Sequence, residues 1–247
     1  METFTIEIAG VPVGIKCRFE VNRYFLREYM TCKEPLFTIE PKAEDLEQMQ
    51  ETWDRINETR GFPRHRRPDD FLENNAIHAL LAENLVRYDT LLIHGSALCL
   101  DGEAYIFIAA SGTGKSTHTR LWREMFRERV WMINDDKPML KITEGRVLVY
   151  GTPWDGKHHL SRNACAPLKA VVSLHRAESN KIKRMAKSDA FAELIKRIYF
   201  SRDPVTTAKI MSLEKRLLET ADFYSLNCNM DPEAARVAFE GMRAGRE

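Results

Sequence analysis

The chain has 247 residues, which is enough for one large domain or for a domain with an added lobe. Its 37 Lys and Arg residues nearly balance its 36 Asp and Glu residues, giving a formal net charge of +1. This balance argues against proteins that bind nucleic acid or a membrane with their whole surface. No stretch approaches the roughly 18 apolar residues that a membrane span needs. We therefore expect neither a membrane partner nor a nucleic-acid partner.

The start of the chain and its cysteines give no indication of export. The first residues lack the basic region and the apolar core of a signal peptide. The five cysteines are scattered and never form a C-x-x-C pair, so the sequence shows neither a disulfide framework nor a zinc site. Buried thiols in a reducing compartment fit this pattern, which predicts a cytoplasmic protein.

The N-terminal part of the chain predicts a separate lobe. Residues 4–8 and 13–17 have the pattern of two strands, and residues 45–58 carry apolar side chains at the spacing of an amphipathic helix. The polar segment 60–68 contains four arginines and two prolines and predicts a linker. Contact with a phosphate-rich or acidic partner is a second interpretation of these arginines. The predicted division is an N-terminal lobe at 1–68, with substrate docking as one role for it, and a core at 69–247.

The core begins with a predicted helix at 71–88 and a predicted strand at 91–100. Asp101-Gly102 is a strong hairpin signal, so this strand should pair antiparallel with the next one, at 103–108. Common doubly wound nucleotide-binding folds place parallel neighbours beside the corresponding strand. The sequence therefore predicts an α/β fold with a mixed, strongly twisted sheet.

A glycine-bearing segment, 109–117, follows the strand at 103–108 and leads into a predicted helix. This strand–loop–helix context predicts a P-loop, in which backbone N–H groups and the helix N-terminus bind phosphate. Lys115 would reach the β- and γ-phosphates, and the Ser116 hydroxyl would bind Mg²⁺. Ala109 replaces the first glycine of the pattern; the alternative is a chance turn before a surface helix. The predicted nucleotide-binding residues are Ser111, Gly112, Thr113, Gly114, Lys115, Ser116 and Thr117.

Two carboxylates follow the strand predicted at 130–133. Mg²⁺ takes one or two carboxylates together with phosphate oxygens and water, and Asp135 and Asp136 stand where such ligands are expected. One of them can serve the metal, and the other can accept a proton from an attacking hydroxyl. A solvated strand end is the alternative interpretation.

Other polar residues have two interpretations each. On its spacing alone, His94 is a half-buried structural histidine on the strand that pairs with the P-loop strand; the alternative is a hydrogen-bonding role near the γ-phosphate or the acceptor. The segment 151–159 is too rich in glycine and proline for regular structure and predicts a lid or acceptor-binding loop containing Trp154. Lys157 or Arg162 could supply an extra cation for the transferring phosphoryl group.

The remaining core predicts short strands at 139–142 and 147–150, joined by a turn. A further strand at 168–174 is followed by helices at 188–200 and 204–219. A last strand at 223–227 precedes a last helix at 232–242.

His94-Gly95, the hairpin, the segment 111–116 and Asn134-Asp135-Asp136, in this order, resemble the HPr kinase/phosphorylase core, which is related in fold to the phosphoenolpyruvate carboxykinases. The resemblance covers about residues 91–231. It is strongest toward the small HPr-kinase-like proteins of peptide-modification gene clusters, which carry similar segments to 151–154 and 226–232.

The resemblance implies ATP- and Mg²⁺-dependent phosphorylation of a serine hydroxyl in a peptide or protein. It implies that Lys115 binds phosphate, that Ser116, Asp135 and Asp136 bind the metal, and that Asp135 is the base. It also implies a place in the site for His94. Members of the family often assemble, so a homo-oligomer is an open alternative here.

The sequence departs from the family at two positions. The segment 147–151 lacks the charged residues of the Leu-Glu-Ile-Arg-Gly signature, and Thr117 stands where the family has an acidic residue. These departures and Ala109 leave two alternatives to a peptide or protein kinase. One is a nucleotide-dependent peptide-binding module without phosphotransfer, and the other is a small-molecule kinase.

Overall fold

The computed structural model describes residues 2–244 and contains two compact units, Met1–Leu85 and Val86–Glu247. The division lies further along the chain than the boundary predicted at residue 68. Helix α3 (Asp69–Leu85) belongs to the first unit because Leu72 and Ala76 pack with Leu46 of helix α2 in one apolar cluster. Local sequence composition marked the irregular segment before α3, whereas packing decides where a compact unit ends.

The first unit contains a small mixed sheet and three helices. Strand β1 pairs antiparallel with β2, and β2 pairs parallel with β3. The predicted strands and the amphipathic helix are confirmed. The elements are β1 (Glu2–Ile8), β2 (Val11–Cys17), α1 (Glu20–Phe25), β3 (Phe37–Ile39), α2 (Ala43–Thr59) and α3 (Asp69–Leu85).

The arginine-rich segment 60–68 connects α2 to α3 and so lies inside the first unit, not between two units. Arg66 forms ion pairs with Glu47 and Asp69, each with an N–O distance of 2.8 Å. Arg64 pairs with Glu58. Acidic residues on the two flanking helices therefore compensate the charges of two of the four arginines in the segment, Arg64 and Arg66.

A buried carboxylate fixes the start of α1 in the first unit. Glu73 on α3 is fully buried and accepts hydrogen bonds from the backbone N–H groups of Arg18 (2.7 Å) and Phe19 (3.2 Å). It also accepts one from the Asn22 amide, at 2.8 Å. A carboxylate at a helix N-terminus is stabilised by the free N–H groups there. Periodicity alone did not identify this side chain, because it lies on the apolar face of α3.

The second unit is built on a nine-stranded sheet. Its strands are β4 (Thr90–Leu92), β5 (Ser96–Leu100), β6 (Glu103–Ile108), β7 (Val130–Asn134), β8 (Met139–Thr143), β9 (Arg146–Tyr150), β10 (Cys165–Arg176), β11 (Lys181–Arg184) and β12 (Asp222–Cys228). Its helices are α4 (Lys115–Phe126), α5 (Lys187–Leu194), α6 (Pro204–Thr220) and α7 (Glu233–Ala244). The prediction missed β11 and extended α5 to residue 200.

The sheet is mixed, as predicted. Its order is β4-β8-β9-β10-β6-β5-β7, with β12 paired to both β10 and β11. Strand β10 takes part in both antiparallel and parallel pairing. Its first residues, 165–167, pair antiparallel with β9, and its later residues pair parallel with β6 and with β12. The strand that leads into the predicted P-loop therefore has one parallel and one antiparallel neighbour.

The hairpin predicted at Asp101-Gly102 is confirmed, since Leu100 stands opposite Glu103 across β5 and β6. Asp101 and Gly102 have φ angles of 51° and 84°, the left-handed conformation that a tight two-residue hairpin turn requires. The single strand predicted at 91–100 is wrong. It splits into β4, which pairs with β8, and β5, which pairs with β6 and β7.

Helices cover both faces of the sheet. Alternate residues of β6 enter two separate apolar clusters, one containing Ile106 and the other Phe107. The Ile106 cluster includes Leu194 of α5 and Leu213 of α6, whereas the Phe107 cluster includes Trp122 of α4. Because both faces of β6 are buried, the loop that follows it emerges from a rigid strand.

Helix α4, which follows the predicted P-loop, is anchored by an aromatic cluster. The Trp122 indole donates a hydrogen bond of 3.0 Å to His118 Nε2, and Phe107 of β6 packs edge-on against both rings. Burial lowers the pKa of His118 to about 4, so the ring is neutral at physiological pH and can accept this bond. The start of α4 is thereby held against β6.

The buried carboxyl group of Glu214 on α6 should make the stability of the folded protein depend on pH. Glu214 is fully buried, and neither carboxyl oxygen has a hydrogen-bond partner within residues 2–244. Burial raises the pKa of Glu214 from 4.5 to about 7. The folded chain therefore binds an extra proton between these values, and its stability falls as pH rises through this range. The loss reaches about 3 kcal/mol above pH 7.

Replacing Glu214 by glutamine should remove this dependence. We expect the variant to be more stable than the wild type at alkaline pH and to lose that advantage below pH 4.5. Chemical unfolding across the pH range measures the difference. Glu219→Gln, on the exposed face of the same helix, is the matched control. Parallel pH profiles for the wild type and Glu214→Gln would contradict the assignment.

Candidate functional site

The predicted P-loop lies between β6 and α4, as expected. Gly112 and Gly114 have φ angles of 76° and 123°, which L-amino acids with a side chain rarely adopt. Ala109 is 2% exposed, belongs to the Phe107 cluster and has no positive φ angle. The backbone at position 109 therefore does not require glycine, which explains why alanine is tolerated in place of the first glycine of the pattern.

Lys115 is the first residue of α4, and its side chain turns back along the loop. Its ammonium donates to the carbonyl oxygen of Ala109 at 3.4 Å. The residue is 9% exposed, and burial lowers the pKa of its ammonium, with the charge of Arg197 acting in the same direction and Asp136 opposing it. A cation with so little water around it is well suited to neutralise a bound anion.

Asp135 lies beside the start of α4. One carboxylate oxygen, Oδ1, accepts a hydrogen bond from Ser96 at 2.7 Å and another from Ser116 at 3.3 Å. Asp135 is 5% exposed. The structure thus brings together Ser116 and Asp135, which the sequence placed at the ends of different elements. Strand β5 lies between β6 and β7 and supplies Ser96.

Asp136 points to a different set of partners. Its Oδ1 lies 3.2 Å from His94 Nε2, and its Oδ2 lies 3.9 Å from the Lys137 ammonium. Burial alone would raise the pKa of Asp136, but the His94 hydrogen bond and the charges of Lys137 and Lys115 outweigh it and lower the pKa. Asp136 is therefore ionised and half-exposed.

His94 lies beside the carboxylates, but not on the predicted strand. It occupies the connection between β4 and β5, and its backbone N–H donates to the Arg197 carbonyl at 2.8 Å. The sequence pattern suggested one continuous strand because residues 91–100 are almost all apolar. Leaving the ladder at this point frees the imidazole to reach Asp136.

Asn134, which sequence reasoning did not assign a role, organises the turn that carries both carboxylates. Its side-chain oxygen accepts from the N–H groups of Asp136 (2.8 Å) and Lys137 (2.6 Å). Its amide donates to the carbonyls of Thr152 and Trp154 at 3.0 and 3.2 Å. The available signal was its position directly before Asp135-Asp136, where an asparagine often fixes a turn.

The loop 151–159 is irregular, as predicted, and it contacts Asp135. A Cβ atom added to Gly156 would lie 2.8 Å from Asp135 Oδ2, so the backbone of Gly156 packs directly on that carboxylate. Asp155 holds the loop by accepting from the N–H and the hydroxyl of Ser161, both at 3.0 Å. Glycine at position 156 is thus explained by the close approach of the loop backbone to the Asp135 carboxylate.

The three predicted substrate-loop residues lie in different settings. The Trp154 carbonyl binds Asn134, which ties that residue to the carboxylate turn. Lys157 is exposed on the loop. The Arg162 guanidinium lies over the Trp131 ring, 5.4 Å from its centroid. For Arg162, the structure therefore shows an aromatic partner on β7.

A cleft of about 610 Å³ opens on the other side of the predicted P-loop, toward β10. Its basic lining residues are Arg176, Lys196 and Arg197, with Glu193 as an acidic neighbour. Lys196 pairs with Glu193 at 2.8 Å, whereas Arg197 Nε is buried without a hydrogen-bond partner within residues 2–244. Arg176 and Arg197 were not predicted, because they lie far along the chain in segments without a motif.

Comparisons with known proteins add a distant likeness. The chain matches no protein-family model, and no curated protein matches it. Among solved structures it is similar to the Hpr(Ser) kinase/phosphatase from Coxiella burnetii, with 9% sequence identity and a TM-score of 0.36. The match covers 63% of this chain and 95% of that one. Separately, no helix within residues 2–244 is long and apolar enough to cross a membrane.

Proposed function

We propose that this protein is a Mg²⁺-dependent kinase that transfers the γ-phosphoryl group of ATP to a hydroxyl, most specifically a serine of a peptide or protein. The observation that carries the proposal is the position of Asp135. Its Oδ1 accepts from Ser116 at the start of α4, directly after Lys115 and the glycine-bearing loop. Phosphoryl transfer depends mainly on positioning and on charge neutralisation, and this grouping supplies both.

The loop and Lys115 would bind the phosphates. Residues 111–114 precede the N-terminus of α4, where backbone N–H groups favour an anion. On binding, Lys115 would exchange its weak contact of 3.4 Å with the Ala109 carbonyl for one with a phosphate oxygen. Burial already destabilises its charge, so a bound anion is more strongly attracted there than at the surface.

Ser116 and Asp135 are suitable ligands for Mg²⁺. A hydroxyl and a carboxylate are the hard oxygen donors that this ion prefers, and phosphate oxygens and water complete its shell. No group of three His, Cys, Asp or Glu side chains within residues 2–244 forms a metal site by itself. A metal site that is completed by phosphate oxygens of the substrate does not need three such side chains. When bound, the ion would neutralise negative charge on the phosphates during transfer.

Asp136 is suited to the acceptor hydroxyl. It is ionised and half-exposed, and His94 fixes one of its oxygens at 3.2 Å. We therefore propose a division of roles in which Asp135 serves the metal and Asp136 orients the hydroxyl and takes its proton. The family resemblance implied that Asp135 is the base, whereas the contacts of the two carboxylates favour this division.

Arg197 is proposed as the additional cation. It lines the cleft beside the loop, its charge acts on Lys115, and its Nε lacks a partner within residues 2–244. Lys157 and Arg162 were the sequence candidates for this role. Arg162 lies over Trp131, whereas Arg197 adjoins His94 through their backbones.

The serine acceptor rests on the sequence resemblance described above. Purified protein with Mg²⁺-ATP and a panel of serine-containing peptides tests the proposal, with ADP release and phosphopeptide mass as readouts. We expect transfer that requires Mg²⁺ and is lost in Lys115→Ala. ATP binding without transfer across the panel would instead support the peptide-binding module. Transfer to metabolites alone would support the small-molecule kinase.

Gly156→Ala should impair transfer without unfolding the protein. The added Cβ would press on Asp135 Oδ2 at 2.8 Å and displace the end of that side chain. We expect kcat to fall about tenfold or more, since each loss of about 1.4 kcal/mol in transition-state stabilisation lowers the rate tenfold. Gly145→Ala, where no atom lies within 4 Å, is the control. Wild-type kcat in Gly156→Ala would show that Asp135 does not depend on this contact.

A further inference from the structure

Arg176 makes an unusual contact with the loop that precedes α4. It is the last residue of β10, the parallel neighbour of β6. One edge of its guanidinium donates to two successive carbonyl oxygens of the loop. Nη2 lies 2.5 Å from the Gly112 oxygen, and Nε lies 3.3 Å from the Thr113 oxygen. The rigid fork of an arginine matches two adjacent oxygens, which a lysine ammonium cannot do.

Binding these carbonyls determines the direction of the N–H groups that follow them. In a planar trans peptide the C=O of one residue and the N–H of the next point in opposite directions. A guanidinium that holds the oxygens of Gly112 and Thr113 therefore turns the N–H groups of Thr113 and Gly114 away from β10. The N–H of Thr113 closes the turn within the loop, and the N–H of Gly114 is a backbone donor of the kind that binds phosphate in such a loop.

The loop needs this external support. Gly112 and Gly114 have positive φ angles and no atom within 4 Å of an added Cβ, so packing does not restrict the backbone there. Within the loop, Thr113 N–H donates to Ala110 O at 3.2 Å, which closes a turn. Flexible glycines lose much conformational freedom when they become ordered, and an arginine contact reduces that cost on binding.

We propose that Arg176 is a positioning residue that preorganises the phosphate-binding loop through its carbonyl oxygens and does not itself contact the nucleotide. This inference rests on the proposed function. It assigns a role to β10, whose end carries no recognisable motif. Because the guanidinium is exposed, its contribution to nucleotide affinity should be moderate.

Nucleotide affinity in arginine variants tests the inference. With the fluorescent probe mant-ADP and with mant-ATP, both in Mg²⁺, we expect Arg176→Ala to raise both Kd values equally, by about 3- to 10-fold. Arg176→Lys should be intermediate, because a point charge reaches one carbonyl but not both. Low millimolar guanidinium chloride should restore affinity to Arg176→Ala, whereas sodium chloride at the same concentration should not.

The controls separate the possible failures. Arg184→Ala removes another exposed arginine, which pairs with Asp222 on the neighbouring strand, and should leave both Kd values unchanged. A wild-type protein that does not bind mant-ADP would overturn the proposed function itself. If the wild type binds and Arg176→Ala binds equally well, the inference alone fails. It also fails if only mant-ATP affinity falls, which would indicate direct γ-phosphate contact, or if guanidinium gives no rescue.

Discussion

Asp135→Asn is expected to abolish phosphoryl transfer, with a loss of about 10³-fold or more in kcat. The substitution keeps the shape of the side chain but removes its charge. It also replaces one of two acceptor oxygens with a donor. Ser96 and Ser116 both donate to Oδ1 of Asp135. A neutral amide would bind the metal more weakly and would accept these hydrogen bonds less well than the carboxylate. Steady-state assays at increasing Mg²⁺ concentration measure the loss.

Two further variants make this result specific. Asp136→Asn should also lose transfer, but it should keep the Mg²⁺ dependence of nucleotide binding, because its carboxylate faces His94 and Lys137. Ser96→Ala should be milder, since it removes one donor and leaves the Asp135 charge in place. Thermal unfolding should show that all three variants remain folded. Full transfer by Asp135→Asn would remove this residue from the mechanism.

Gly151→Ala is expected to be more destabilising than Gly156→Ala or Gly145→Ala. Gly151 follows β9, and an added Cβ would lie 1.9 Å from the Arg162 carbonyl oxygen and 2.7 Å from that of Ile133. These oxygens belong to two backbone segments that are themselves joined, since Arg162 N–H donates to Ile133 O at 3.1 Å. Neither can move alone, so we expect a loss of about 3 kcal/mol or more.

Calorimetry can measure this loss as a fall in Tm of about 6–12 °C. Gly145→Ala is the matched control, because it has no neighbouring atom within 4 Å and a φ of 67°. It should cost only about 1 kcal/mol, from backbone strain. Equal Tm values for the two variants would show that the segment around residue 162 can relax. In Gly151→Ala we also expect faster proteolysis of residues 151–164.

Local features were predictable from the sequence because the residues that cause them are adjacent. The β5–β6 turn follows from Asp101-Gly102, whose left-handed φ angles belong to those two residues themselves. The strand, glycine-bearing loop and helix at 103–126 are recognisable for the same reason. So is the N-terminus of α6, where Asp203 accepts from Thr206 N–H at 2.7 Å. These elements are each fixed by a few neighbouring side chains.

Long-range pairing decided what the sequence could not. Residues 91–100 are apolar enough for one strand, yet β4 and β5 join different partners, and this separation places His94 beside Asp136. Likewise, the burial of Glu73 and Glu214 depends on what packs over α3 and α6. A helical period shows which face a residue occupies but not what covers it.

The candidate site shows the same division between sequence and tertiary structure. Neighbouring residues are enough to indicate the loop with Lys115 and Ser116 and the carboxylate pair that follows a strand. That Asp135 faces Ser116 while Asp136 faces His94 becomes visible only in the folded chain. It also brought Arg176 and Arg197 to the loop from β10 and from the segment after α5. These contacts depend on strand order, because strand order determines the neighbours of each strand end and itself follows from the packing of the whole sheet.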